Sequence, residues 1–187
     1  KEFYKLKNNV FSFSDLLKHE LPSRKSLYVT ENEIDDFLTY KKGSSSFFFF
    51  FLLYQNIRYK EIQFHQDHIH PHSKFSNENF NILGLSANEQ EEWTRLRDMV
   101  PNLQLMEGRQ NESKNASEFN HWLGLKTESE QSHFKISNFI PEDEDLDFKN
   151  FKSFFNQRKI KLKNELKNVF AINNEIRIIA EDIILEE

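Results

Sequence analysis

Phe64-His65-Gln66-Asp67-His68-Ile69-His70-Pro71 decides how the rest of this 187-residue chain is read. An acid and a histidine are neighbours, with His65 and His70 close by. Upstream, Ile57, Tyr59, Ile62 and Phe64 roughly alternate, so residues Ile57 to His65 read as a strand that Pro71 stops. In a regular strand Asp67 and His68 would face opposite ways. At a strand end, where the backbone turns toward Pro71, both can line one cleft.

Downstream, residues 72–86 are rich in Asn and Ser and read as loop. Ser86 with Glu89 is a capping box that opens a helix carrying Trp93, Leu96 and Met99 and halting before Pro101. Leu103 and Leu105 alternate with Gln104, a short strand. Gly108 turns the chain, a short helix begins at Asn111, and Phe119, Trp122 and Leu123 line the next one, closed by Gly124. The order is strand, histidine, long loop, strand, turn, helix.

Further out, Ser14 caps a short helix through His19, ahead of Pro22. Thr30 with Glu33 is a second capping box, for a helix ending near Gly43. The apolar run Phe47 to Tyr54 fits a buried strand or a buried helix, and the serines ahead of it favour the helix. Residues 125–147 are polar and then acidic. From Phe148 to Phe170, apolar residues recur on one side, with Lys149, Lys152, Arg158, Lys159, Lys161, Lys163 and Lys167 on the other. That basic side is either a track for a nucleic-acid backbone or a solvated face. A last helix spans Ile176 to Leu185. The fold class expected is α+β, a mainly helical domain around a two-stranded hairpin. A single unit over 1–187 is expected, with helical support in 1–55, the core in 56–125 and a helical extension in 126–187.

Composition narrows the classes. The absence of cysteine excludes disulfides and thiolate metal sites. Net charge is −5, and between Arg58 and Lys114 seven basic residues face nine acidic ones. DNA affinity from that segment alone is therefore not expected. The 20 Phe residues read as core anchors, Trp93 and Trp122 likewise. The Phe47–Tyr54 run is far short of the ~20 residues of a membrane span. The chain starts Lys1-Glu2-Phe3 without Met, which reads as a fragment of a longer protein.

Hydrolysis of a phosphodiester needs a base to activate water, a cation to neutralise phosphoryl charge, and positioning. An imidazole suits the first, so His68 is the candidate base. Hard oxygen donors suit Mg²⁺ or Mn²⁺. Asp67 and Asn111 are candidates for these, and Asn102 is either a turn residue or a tie that holds the long loop by backbone hydrogen bonds. His65 either touches metal or phosphate or packs beside them, while His70 and His72 read as solvated. Lys114 is a solvated lysine or a DNA contact.

These motifs resemble the His-Me finger nucleases, also called HNH or ββα-metal endonucleases. Asp67-His68-Ile69-x-Pro71 matches the first motif, Asn102-Leu103 the middle asparagine and Asn111-x-Ser113-Lys114 the last. With Leu52-Leu53-Tyr54, Phe119-x-x-Trp122-Leu123, Phe139-Ile140-Pro141 and Phe154-x-x-x-Arg158, roughly residues 30–170 look like the C-terminal nuclease domain of GmrSD-type, type IV restriction proteins. The resemblance implies a hydrolase with His68 as general base, one divalent metal (Mg²⁺ or Mn²⁺) on Asp67 and Asn111, and Asn102 holding the loop. It also implies DNA as substrate, restriction of modified or phage DNA in a bacterial cytoplasm, and a nucleotide-hydrolysing ParB-like partner domain absent from this chain. Glu112 stands where many members carry Arg, which leaves Lys114 or Arg109 as the candidate phosphate contact. The competing expectation is a catalytically silent binding module on the same fold.

Overall fold

Two five-residue strands, Phe64–His68 (β1) and Leu103–Glu107 (β2), pair antiparallel, with Asp67 opposite Gln104 and His68 opposite Leu103. The computed structural model describes residues 29–54, 62–142 and 144–170. Within them the protein is mainly helical α+β, this one sheet being accompanied by eight α-helices. In chain order these are Glu31–Phe37 (α1), Ser44–Leu53 (α2), Asn77–Ile82 (α3), Ala87–Leu96 (α4), Gly108–Lys114 (α5), Phe119–Gly124 (α6), Glu128–Ser137 (α7) and Phe151–Val169 (α8).

Local chemistry explains most helix starts. Thr30, Ser86 and Thr127 each accept the third backbone N–H of α1, α4 and α7, and Glu33, Glu89 and Glu130 return the bond. The Phe47–Tyr54 run is helical, as α2. It buries Phe49, Phe50 and Leu53 and leaves Phe48 exposed.

Several expectations are corrected. Helix α1 ends at Phe37, well before Gly43, because the next residues run beside the turn after α4: Val100 N–H donates to Tyr40 and Lys42 N–H to the Asp98 carbonyl. Residues 72–86 are not all loop, since Ser76 caps α3 through the Asn79 N–H. Gly108 is the first residue of α5 rather than a turn, its N–H donating to the Gln63 carbonyl. The polar stretch 125–147 contains α7, whose capping box is plain once Thr127 and Glu130 are paired. Strand β1 runs on through His68, later than the alternation placed it. Most of the alternating stretch, 55–61, lies outside the described residues, as do the helices expected at Ser14–His19 and Ile176–Leu185.

The long helix α8 joins three apolar clusters. Leu162 and Leu166 pack with Ile34, Phe50 and Leu103; Phe154 packs with Ile69, Met106 and Trp122; Phe151 and Phe155 pack with Phe80 and Trp93. Both tryptophans are buried. The basic side of α8 is largely engaged within the molecule. Lys163 binds Asp35 and Lys167 binds Glu31, each at 2.7 Å, which docks α8 on α1, while Lys152 pairs with Glu92 of α4. Among the described residues no helix is long and apolar enough to cross a membrane.

Arg158 departs most from its expected place, being fully buried rather than on the basic surface. Its Nη1 donates to the carbonyls of Val100 (3.3 Å), Pro101 (2.8 Å) and Leu103 (2.6 Å), and Nη2 donates to Asn138 at 3.1 Å. Burial pushes the guanidinium down to about 10, so it stays charged at neutral pH. Its charge is balanced by carbonyl dipoles rather than by a carboxylate. Arg158→Met keeps the apolar stem and strips the donors, leaving the buried carbonyls of Pro101, Leu103 and Asn138 without the bonds that the guanidinium supplies. It is expected to cost about 3 kcal/mol or more of unfolding free energy, read as a lower urea midpoint by circular dichroism.

Candidate functional site

Alternation along the hairpin sorts the candidate residues onto two faces. His65 pairs with Met106 and Asp67 with Gln104, so these four side chains share one face. Helix α5 follows β2 without a break and packs on that face. Lys114 Nζ donates to Asp67 Oδ2 and to the His68 carbonyl, both at 2.7 Å. At the other end of the helix, a Cβ on Gly108 would lie 3.7 Å from His65 Nε2. Asn111 sits one turn from each, at the i,i+3 spacing that keeps all three on one side of α5. Along α5 it therefore falls between the end that meets His65 and the end that meets Asp67. Its half-buried side chain makes no hydrogen bond among the described residues.

His68 occupies the opposite face. Its Nε2 is 2.9 Å from Asp98 Oδ1, and its ring meets His72 edge-on at 6.0 Å. Arg97 forks onto the same carboxylate, with Nη2 2.7 Å from Oδ2. Partial burial raises the Asp98 carboxyl, but the bonds from Arg97 and His68 outweigh it and hold the group at about 2. Burial lowers His68 from its ordinary value, against the pull of Asp98, and Lys42 lowers it further. The imidazole is accordingly neutral at physiological pH.

This corrects the expectation that a turn brings Asp67 and His68 into one cleft. The strand stays regular through His68 opposite Leu103, and the turn begins only at Ile69, whose N–H donates to the Asn102 carbonyl at 2.8 Å. The two side chains leave opposite faces of β1 at its end. They remain close enough for the Asp67 charge to raise the His68 pKa.

Asn102 closes the excursion between the strands and is fully buried. Its Oδ1 accepts from the His70 N–H at 3.0 Å, and its Nδ2 donates to the His70 and Arg97 carbonyls at 3.2 and 2.8 Å. One amide thus ties the residue after β1, the turn after α4 and the head of β2.

Other candidates change character. Lys114 is fully buried rather than solvated, so it cannot meet DNA; burial lowers its ammonium pKa, and the Asp67 charge partly restores it. Arg109 is exposed near the start of α5, and His72 is exposed. His70 is 1% exposed and not solvated. It is enclosed by Phe154, Phe151, Phe148 and Phe119 at 4.8 to 6.4 Å between ring centres, and its Nε2 has no hydrogen-bond partner among the described residues.

For a metal, the donors on the α5 face are the Asp67 carboxylate and the Asn111 amide. Asp67 Oδ2 accepts from Lys114 and, at 3.4 Å, from Gln104, while Oδ1 accepts from none of the described residues. Such hard oxygen donors fit Mg²⁺ or Mn²⁺. Among the described residues no three His, Asp or Glu side chains gather into a metal cluster. Two open cavities flank the site. One of about 480 Å³ runs along β1 between Phe64, His65, Gln66 and Lys42-Gly43. One of about 510 Å³ is walled by Asp98, Arg97, Arg95 and Lys41.

Asp98, Arg97, Gln104 and Lys42 were not picked out by sequence reasoning. Asp98 did carry one signal: it follows the C-terminus of α4, where the helix dipole disfavours an acid, so a local cationic or hydrogen-bonding partner is called for. Compared with protein families and with curated proteins, the chain matches none.

His70 makes stability depend on pH. Burial, helped by the Lys114 charge, pushes it down to about 3 from 6.5. Below pH 6.5 the unfolded chain binds a proton that the folded chain does not, so stability falls as pH drops from 6.5 toward 3. In His70→Leu the stability difference between pH 7 and pH 5 should shrink by about 2 kcal/mol, measured by urea unfolding at each pH.

Proposed function

We propose that this chain is a metal-dependent endonuclease of the His-Me finger (ββα-metal) type, hydrolysing DNA phosphodiester bonds. The observation that carries the reading is the β1–β2–α5 unit. It carries Asp67 on the hairpin face that meets α5, the helix bearing Asn111, ends β1 on His68, and is closed by the three hydrogen bonds of Asn102. A role in restricting modified or phage DNA, together with a nucleotide-hydrolysing ParB-like domain, rests on the motif resemblance alone.

Each residue then has a task. Asp67, through the oxygen that Lys114 leaves, and Asn111 would hold a divalent cation. When bound, that cation supplies positive charge for the phosphoryl group and the leaving oxygen. His68 takes a proton from the attacking water. Because Asp67 and His68 leave opposite faces of β1, the scissile phosphate lies across the outer edge of that strand, which has no neighbouring strand among the described residues. The cavity along β1, with Lys42 on its rim, suits a phosphate backbone there.

One observation favours a silent binding module instead: the Lys114 ammonium already balances Asp67. Plasmid cleavage in Mg²⁺ or Mn²⁺ separates the two. His68→Ala should cut cleavage by at least about 10²-fold with the fold intact. Asp67→Ala and Asn111→Ala should lose both cleavage and Mn²⁺ binding by calorimetry. Undiminished cleavage by His68→Ala would sink the mechanism, and no Mn²⁺ binding by the wild type would favour the silent module.

A further inference from the structure

His68 touches a carboxylate with the ring nitrogen expected to face substrate if the far end of the imidazole were the base. Asp98 Oδ1 is 2.9 Å from Nε2. An ionised carboxylate only accepts, so the proton between them belongs to Nε2. A neutral imidazole carries one N–H, which leaves the lone pair on Nδ1. Nδ1 of His68 has no hydrogen-bond partner among the described residues, and the side chain keeps 12% of its exposure.

Asp98 is itself held from three sides. Arg97 clamps its carboxylate through Nε and Nη2. Lys42 N–H donates to its carbonyl at 3.0 Å. Asn102 Nδ2 holds the preceding carbonyl, that of Arg97, at 2.8 Å. The loop asparagine and the base are therefore linked by a chain: Asn102 sets the Arg97-Asp98 turn, and Asp98 sets the imidazole. A network this well anchored fixes ring orientation and tautomer together.

We propose that Asp98 is a positioning residue that holds His68 as the Nε2–H tautomer, making Nδ1 the nitrogen that activates water. The inference rests on the nuclease reading. A water proton passes to Nδ1 as the water oxygen bonds to phosphorus. The bond from phosphorus to the leaving 3′-oxygen breaks, and that oxygen is protonated from solvent. The imidazolium keeps its Nε2–H on Asp98, which balances its new charge.

Nitrogen NMR of the ¹⁵N-histidine-labelled 187-residue chain reads the tautomer, and plasmid cleavage in Mn²⁺ reads the rate. The wild type should carry the His68 proton on Nε2. Asp98→Asn, which can present an amide donor to Nε2, should shift the proton toward Nδ1. It should also lower kcat by about 10²-fold or more while KM stays within about threefold, because Asp98 does not touch substrate. Asp98→Glu keeps an acceptor and should restore the Nε2–H signal and part of kcat. A wild-type proton on Nδ1, or wild-type kcat in Asp98→Asn, overturns the inference and leaves the nuclease reading standing. A wild-type chain that cleaves nothing in Mn²⁺ overturns the nuclease reading, and with it the base role of Nδ1.

Discussion

A buried guanidinium holds the turn from which the site is built. Arg158 reaches out of α8 to the carbonyls of Val100, Pro101 and Leu103, the residues on either side of Asn102. Val100 also accepts the Leu103 N–H, whereas for the Pro101 and Leu103 carbonyls the guanidinium supplies the donor, and buried carbonyls without donors are costly. With Arg158 in place, the backbone around Asn102 is held on both sides, and the Asn102 amide bonds both His70 and Arg97. The same α8 carries Phe151 and Phe154 against His70. One helix thus supports the site through a polar clamp and an apolar wall.

The second constraint is the period of a strand. Asp67 and His68 are adjacent, so a regular β1 must send them to opposite faces. Each face then has its own support: α5 and Lys114 for Asp67, the Arg97-Asp98 turn and Lys42 for His68. The acid is half-engaged by a buried ammonium, and the histidine is held neutral by burial. A substrate served by both would approach along the edge of β1 that has no neighbouring strand among the described residues, and a cavity lies along that strand.

Charge is distributed in keeping with that geometry. The lysines of α8 that looked free in one dimension pair with Asp35, Glu31 and Glu92. Exposed pairs of this kind add little stability, but they withdraw the helix as a basic track. Lys42 instead stands at the cavity along β1, and Lys41, Arg95 and Arg97 at the one walled by Asp98.

Local signals were enough for part of this. The capping boxes at Thr30 and Ser86, the short strand at Leu103–Leu105 and the helical reading of Phe47–Tyr54 all follow from chemistry within a few residues. The position of Asn102 as a loop tie was also legible, because a buried turn needs side-chain partners for its backbone. What sequence could not determine were the fates of Lys114, His70, Arg158 and Asp98. A lysine, a histidine and an arginine are assigned to the surface on average, and only packing of distant segments can bury them beside a carboxylate, a phenylalanine cage or a set of carbonyls. Asp98 meets His68 because the excursion between the strands closes on itself, and contacts made by loop closure leave no periodic trace in the chain. The sequence by itself singled out the candidate side chains by type and spacing; the tertiary structure decided which face each occupies and what holds it there.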